Sequence, residues 1–181
     1  MKKFFKKISW TQRLIIVLAI FVGLGAYYYF STGSLPFQKD AVTVKVEKTK
    51  DGETVVKMED TNSSKIEREF PTDMPEDEVM AAIHKMSHQK VRADKKWGAL
   101  PLTPERVNRL MKVVRDNHAQ YKGSDVYIDI LTRWSKGDFS RVDHDHNQVW
   151  ELQGGTIGAA DGIASVEEEQ KFIEEHFKVV Q

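Results

Sequence analysis

The 181-residue chain contains no cysteine. Disulfides, zinc–thiolate centres, iron–sulfur clusters, thiol catalysis and a lipid-modified cysteine anchor are therefore excluded. Net charge is missing as well, because 27 basic side chains face 27 acidic ones. A nucleic-acid binder needs a dominant basic surface, so no nucleic-acid partner is expected. Acidic residues are absent from positions 1–34, which hold Lys2, Lys3, Lys6, Lys7 and Arg13. No internal repeat or low-complexity tract is present. Catalytic signatures are scarce: no serine lies in a GxSxG elbow, and Lys85 after His84 rules out HExxH. The glycine-rich stretch 154–162 lacks the Gly-Lys-Ser/Thr of a phosphate loop.

The zero charge is a sum of unlike parts. Residues 35–84 hold 7 basic and 12 acidic side chains, residues 85–141 hold 13 and 6, and residues 142–181 hold 2 and 9. A basic middle between acidic flanks implies internal pairing. Hydrophobic content of 40% with 30% charged suits a globular chain.

Leu14 to Phe30 runs without a charge. At about 1.5 Å per residue this stretch approaches the hydrocarbon thickness of a bilayer. All the flanking cations precede it, which places the N-terminus in the cytoplasm and the C-terminal part outside the cell membrane. Trp10 would lie in the inner interfacial belt and Tyr27, Tyr28 and Tyr29 in the outer one. Gly23 and Gly25 also give small residues at signal-peptidase spacing, but the aromatic continuation favours an uncleaved, single-pass anchor. The expected organisation is a basic cytoplasmic tail over 1–13, a transmembrane helix over 14–30, a linker over 31–40, a β-hairpin and extended region over 41–70, and a helical extracytoplasmic domain over 71–181.

The fold class expected is α+β, mainly α. Val42, Val44 and Val46 alternate with polar residues, the period of a half-covered strand. Asp51-Gly52 marks a hairpin turn, and residues 53–59 form the return strand. Ile66 and Phe70 suggest a third strand or extended segment. Five helices follow, read from stripes and caps. The first starts near Pro75, capped by Asp73 or Thr72, and carries Val79, Ile83 and Met86. Thr103-Pro104 opens the second and Ser124 the third. Asp138 caps the fourth, with Val142, His146 and Trp150 on its stripe. Ser165-x-x-Glu168 is a capping box for the last. Residues 154–164 read as a loop. The basic loop holding Lys90, Arg92, Lys95 and Lys96 reads as solvated, with Trp97 tucked into the core.

The histidines are the suggestive group. His84 and His88, four apart, share a helix face and could share a metal. Asp143-His144-Asp145-His146 offers further ligands. The candidate set is His84, His88, His144 and His146, which suits zinc, although no cofactor is firmly expected. Against this, His146 lies on an apolar stripe and reads equally as a packed core histidine with one hydrogen bond. Asp143-x-Asp145-x-Asn147 opens like a calcium loop. Gln148 then stands where the loop needs glycine and Gly154 where it needs the bidentate glutamate, so the match fails.

IHKMSHQKV at 83–91, KWG at 96–98, DILTRWSKGDFS at 129–140, DHNQVWELQGGTIG at 145–158 and SVEEEQKFI at 165–173 carry a resemblance. These phrases resemble an uncharacterised, domain-of-unknown-function family of membrane-anchored proteins from Bacillus-like Gram-positive bacteria. The resemblance implies an anchored extracytoplasmic protein in an envelope with one membrane and an anionic wall. It implies no known catalysis.

The function expected is that of a membrane-anchored extracytoplasmic interaction or regulatory protein, more a binder than an enzyme. Its partners would be the membrane, another envelope protein or an anionic wall polymer, with the valine-bearing hairpin offering an edge for strand addition. The alternative is a metal-dependent enzyme acting on cell-wall or peptide substrates.

Overall fold

A computed structural model describes residues 9–32, 39–48, 52, 54–60 and 62–180. Residues 1–8 of the basic tail, 33–38 of the linker and Asp51 of the hairpin turn lie outside the described residues, as does the side chain of Tyr29. The chain divides into two units, 1–38 and 39–181.

In the first unit the apolar run forms one helix, α1 (Trp10–Thr32), which extends past both ends of the uncharged stretch. Over Trp10–Tyr28 it is long and apolar enough to cross a membrane, and a signal sequence has the same character. Trp10, Tyr27 and Tyr28 are all solvent-facing.

The second unit is mainly α with a small strand set. β1 (Ala41–Lys48) and β2 (Thr54–Glu59) form the antiparallel hairpin, with Val44 opposite Met58 and Val46 opposite Val56. A short C-terminal strand, β5 (Lys178–Val180), adds parallel to β1 from Ala41 to Thr43. β1 is therefore the central strand, in the order β2-β1-β5. β5 thus covers β1 only from Ala41 to Thr43. Val42, Val56 and Met58 pack on Phe172, Ile173 and Phe177 of the C-terminal helix region.

Residues 62–70 are not extended. Asn62 accepts a hydrogen bond from the Lys65 amide at 3.0 Å and caps α2 (Ser63–Glu69). Ile66 and Phe70, four apart, then bury together in the main core. α3 (Glu76–Ser87) starts after Pro75 with no side-chain cap, so neither Asp73 nor Thr72 takes that role. Three acids in its first turn favour the positive helix end instead. The chain then tightens into a 3-10 turn, His88–Lys90, and enters β3 (Val91–Ala93).

α4 (Pro104–Asp116) has the expected Thr103 cap, with the hydroxyl accepting from the Arg106 amide. α5 (Ser124–Trp134) begins at Ser124, but Gly123 is its cap residue. α6 (Val142–Leu152) starts later than expected. Asp138 accepts from the amide and hydroxyl of Ser140 and makes a turn ahead of the helix. β4 (Ala160–Ile163) lies inside the stretch expected as loop and pairs antiparallel with β3. α7 (Val166–His176) carries the complete capping box.

Ile83, Met86, Leu110, Val113, Ile130, Leu131, Val142 and Val149 are fully buried in the main core. Each contributes about 1.5–3 kcal/mol by burial. Arg106 is 0% exposed and ties three segments together. Its guanidinium donates to Asp60 at 2.9 Å and Glu69 at 2.6 Å. The buried Lys90 pairs with Glu169 of α7 at 2.6 Å. These links fasten the hairpin and α7 to the helical core, within which α3 lies along α6.

Candidate metal centre

α3 carries His84, the following 3-10 turn carries His88, and α6 carries His146. Their ligand nitrogens lie within 4.8 Å of one another. His88 is 2% and His146 0% exposed, while His84 is half-buried. The tightened turn accounts for His88, because 3-10 winding advances a residue further around the axis than α winding does. His144 is exposed on α6 and outside this cluster. Asp145 turns to Arg133 and to the indole of Trp134, and Asn147 to the backbone of Ala160. The acidic segment 143–147 therefore forms no oxygen cage.

Each of the three rings is oriented by a carbonyl oxygen at Nδ1. His88 Nδ1 donates to the Gly98 carbonyl at 2.7 Å. His84 Nδ1 lies 2.5 Å from Gln153 Oε1 and donates to it in the Nδ1-protonated tautomer; exchange of the amide's oxygen and nitrogen gives the other tautomer. His146 Nδ1 donates to Asn147 Oδ1 at 3.0 Å. The Asn147 amide cannot be reversed: its Oδ1 also accepts from the Ala160 amide and its Nδ2 donates to the Ala160 carbonyl. With the Nδ1 positions protonated, each neutral ring keeps its lone pair on Nε2. His84 Nε2 and His146 Nε2 then face each other at 2.9 Å. In this tautomer the two lone pairs repel unless a cation lies between them, whereas His84 protonated at Nε2 donates to His146 Nε2.

A proton is a poor candidate for that cation. Burial pushes His88 down to about 3, helped by the charges of His84, His146 and Lys96. Burial likewise pushes His146 down to about 4, with His84 and Lys96 adding to it. His84 is lowered by burial and by Lys85. All three are thus neutral near pH 7, the form that binds metal. Tetrahedral zinc with nitrogen ligands at about 2.0–2.1 Å places those nitrogens about 3.4 Å apart. The 2.9 Å pair is about 0.5 Å tighter than that, and the cluster as a whole spans up to 4.8 Å, so the rings would shift by a few tenths of an ångström or more to close on one ion.

Two members of the cluster, His84 and His88, line a cavity of about 380 Å³. Lys85, Lys95, Trp97 and Trp150 line it too, along with the loop Gln153–Gly158. Trp97 is 68% exposed, which corrects the expectation of a core indole. The indole of Trp150 donates to the Ile157 carbonyl at 3.0 Å, and Gly155 lies flat on its ring. Lys96, half-buried, reaches over the ring of Phe172 at 4.9 Å.

Gly98, Asn147 and Gln153, the groups that aim the rings, were not legible in the sequence. Gly98 has φ +79, where only glycine is relaxed, and this turns its carbonyl toward His88. No spacing rule links these three to the histidines, because they act through tertiary contact.

A protein-family model described as a family of unknown function, DUF6241, matches residues 83–174. The matched span takes in all three clustered histidines and all three orienting residues. No curated protein and no solved structure matches the chain.

Proposed function

The chain belongs to the DUF6241 family, and on that premise we propose that it is a membrane-anchored metal-binding protein. The metal is one divalent transition ion, best zinc, held by the Nε2 atoms of His84, His88 and His146. The observation that carries this reading is the common orientation of the rings. Three buried or half-buried imidazoles have every Nδ1 engaged by a side-chain amide or a backbone carbonyl, which fixes the lone pair at Nε2 for His88 and His146 and leaves it there for His84 when Nδ1 donates to Gln153. Such outer partners fix tautomer and raise ligand basicity at metal sites. Three protein nitrogens leave a tetrahedral ion one position to exchange. His84 and His88 line the cavity, which supports an exchangeable position open to it rather than a purely structural centre.

The anchor is α1, and the cations ahead of it favour a cytoplasmic N-terminus with the 39–181 unit on the outer side. The geometry therefore favours the metal-dependent alternative over an interaction module built on the hairpin.

The test uses the full chain in a non-ionic detergent, without a polyhistidine tag. It is stripped with chelator, dialysed against zinc and measured by elemental analysis. About one zinc per chain is expected. H146N and the H84N/H88N pair should lose it with far-UV circular dichroism intact, and H144A should keep it. Zinc retained equally by H146N, or bound by no form of the folded chain, contradicts the reading.

A further inference from the structure

We infer that the cavity lined by His84 and His88 takes a ligand bearing an oxyanion, a carboxylate or a phosphate, which occupies the open position of the metal. This inference rests on the metal reading above and goes beyond it by naming the ligand class.

Charge is the first argument. Three neutral imidazoles bring no charge to offset a divalent ion. Lys85 and Lys95 line the same cavity, and among the described residues neither aspartate nor glutamate does. The loaded site is therefore strongly positive, in a partly enclosed space where water screens poorly. Such a cleft concentrates anions, and a charge-assisted contact to an oxyanion is the strongest a lysine makes.

Shape is the second. A cavity of about 380 Å³ is in the range of small-ligand sites. Trp97 presents most of its indole to water at the rim. Trp150 is held rigid by its bond to Ile157 and by Gly155 beneath it. Two indoles beside a positive centre suit a ligand with an anionic end and an apolar or ring-shaped body.

The wall is also built rather than incidental. Gly158 has φ +90, and a Cβ there would lie 2.6 Å from the Lys95 carbonyl oxygen. The loop thus seats against the Lys95 backbone and fixes where that lysine starts. Across the cavity the Lys85 stem lies on Gly98, with Cε 3.4 Å from where a Cβ would be. The carbonyl of Gly98 orients His88, so the lysine and the ligand geometry share one support.

The experiment loads the full chain, in non-ionic detergent, with saturating cobalt(II) and follows its visible absorption. Imidazole, acetate and inorganic phosphate are titrated separately. Imidazole, which is neutral, reports the open position alone. Acetate and phosphate are both expected to change the spectrum, and the tighter of the two identifies the oxyanion the site prefers. In K85M/K95M their half-saturation should rise at least about tenfold, with a much smaller change for imidazole. A spectrum that responds to imidazole but not to either oxyanion overturns this inference and leaves the metal reading standing. So does an oxyanion response equal in K85M/K95M and the native chain. Absence of a protein-bound cobalt spectrum overturns the metal reading, and this inference with it.

Discussion

The stability of the metal-free protein should be unusually sensitive to mild acid, and the size of the effect follows from two buried rings. His88 and His146 have folded-state pKa values pushed down to about 3 and about 4. An unfolded histidine titrates near 6.5. Below pH 6.5 the unfolded chain therefore binds protons that the folded chain refuses, and the unfolding free energy falls as pH falls. The loss levels off only below the folded values. At pH 5 each ring costs about 2 kcal/mol, so the pair costs about 4 kcal/mol, and at pH 4 about 6 kcal/mol. A domain typically holds only about 5–15 kcal/mol in total. Glu69 and Asp145 act in the opposite direction, because burial raises both and the folded state then gains protons first. The comparison protein that removes such shared terms is H88N/H146N, in which the asparagine amide stands near the former Nδ1. Urea unfolding of the full chain in non-ionic detergent and chelator, followed by tryptophan fluorescence from pH 7.5 to 4.5, reads the difference. Native protein should lose about 4 kcal/mol more than the variant between pH 7.5 and 5. Parallel losses in the two proteins would refute the assignment of buried, neutral histidines.

Other perturbations separate the parts of the structure. Gly98→Ala forces φ +79 on a residue with a Cβ, at a cost of about 1–2 kcal/mol. By moving the carbonyl that orients His88, it should also weaken zinc binding roughly 10–100-fold in a chelator competition. Arg106→Met strands Asp60 and Glu69 and should cost about 3–5 kcal/mol in urea unfolding. Trp97→Ala removes an exposed ring, so its urea midpoint should correspond to a change within about 0.5 kcal/mol.

Elements with strong local signals were legible in the sequence. Thr103-Pro104 and the Ser165 box mark helix starts because their hydrogen bonds are made within one turn. The alternation of Val42, Val44 and Val46 gave β1, but β5 arrives from the far end of the chain and no local pattern announces it. The same holds for β4, whose Ala-Asp-Gly-Ile has little strand character and is held by pairing with β3. Ile66 and Phe70 were too sparse to set a period, and the Asn62 cap decides the helix. Asp138 looked like a cap because it precedes an apolar stripe, yet it closes its own turn with Ser140 first.

The site was legible in its ligand types rather than its geometry. His84 and His88 carried the signal through their spacing. His146 was pulled two ways, since a residue on a buried stripe can pack and still present Nε2 to a neighbouring helix. It does both here, because α6 lies along α3 at the level of His84. His144, its near neighbour in sequence, lies on the exposed side of the same helix. Trp97 departs from the usual burial of tryptophan and lines the cavity instead, while Lys96 beside it reaches over Phe172.

Zinc K-edge absorption on the zinc-loaded full chain tests the central claim most directly. Three imidazoles at about 2.0–2.1 Å and one further light-atom ligand are predicted. A zinc shell with fewer than three imidazoles, or one unchanged in H146N, would contradict the account.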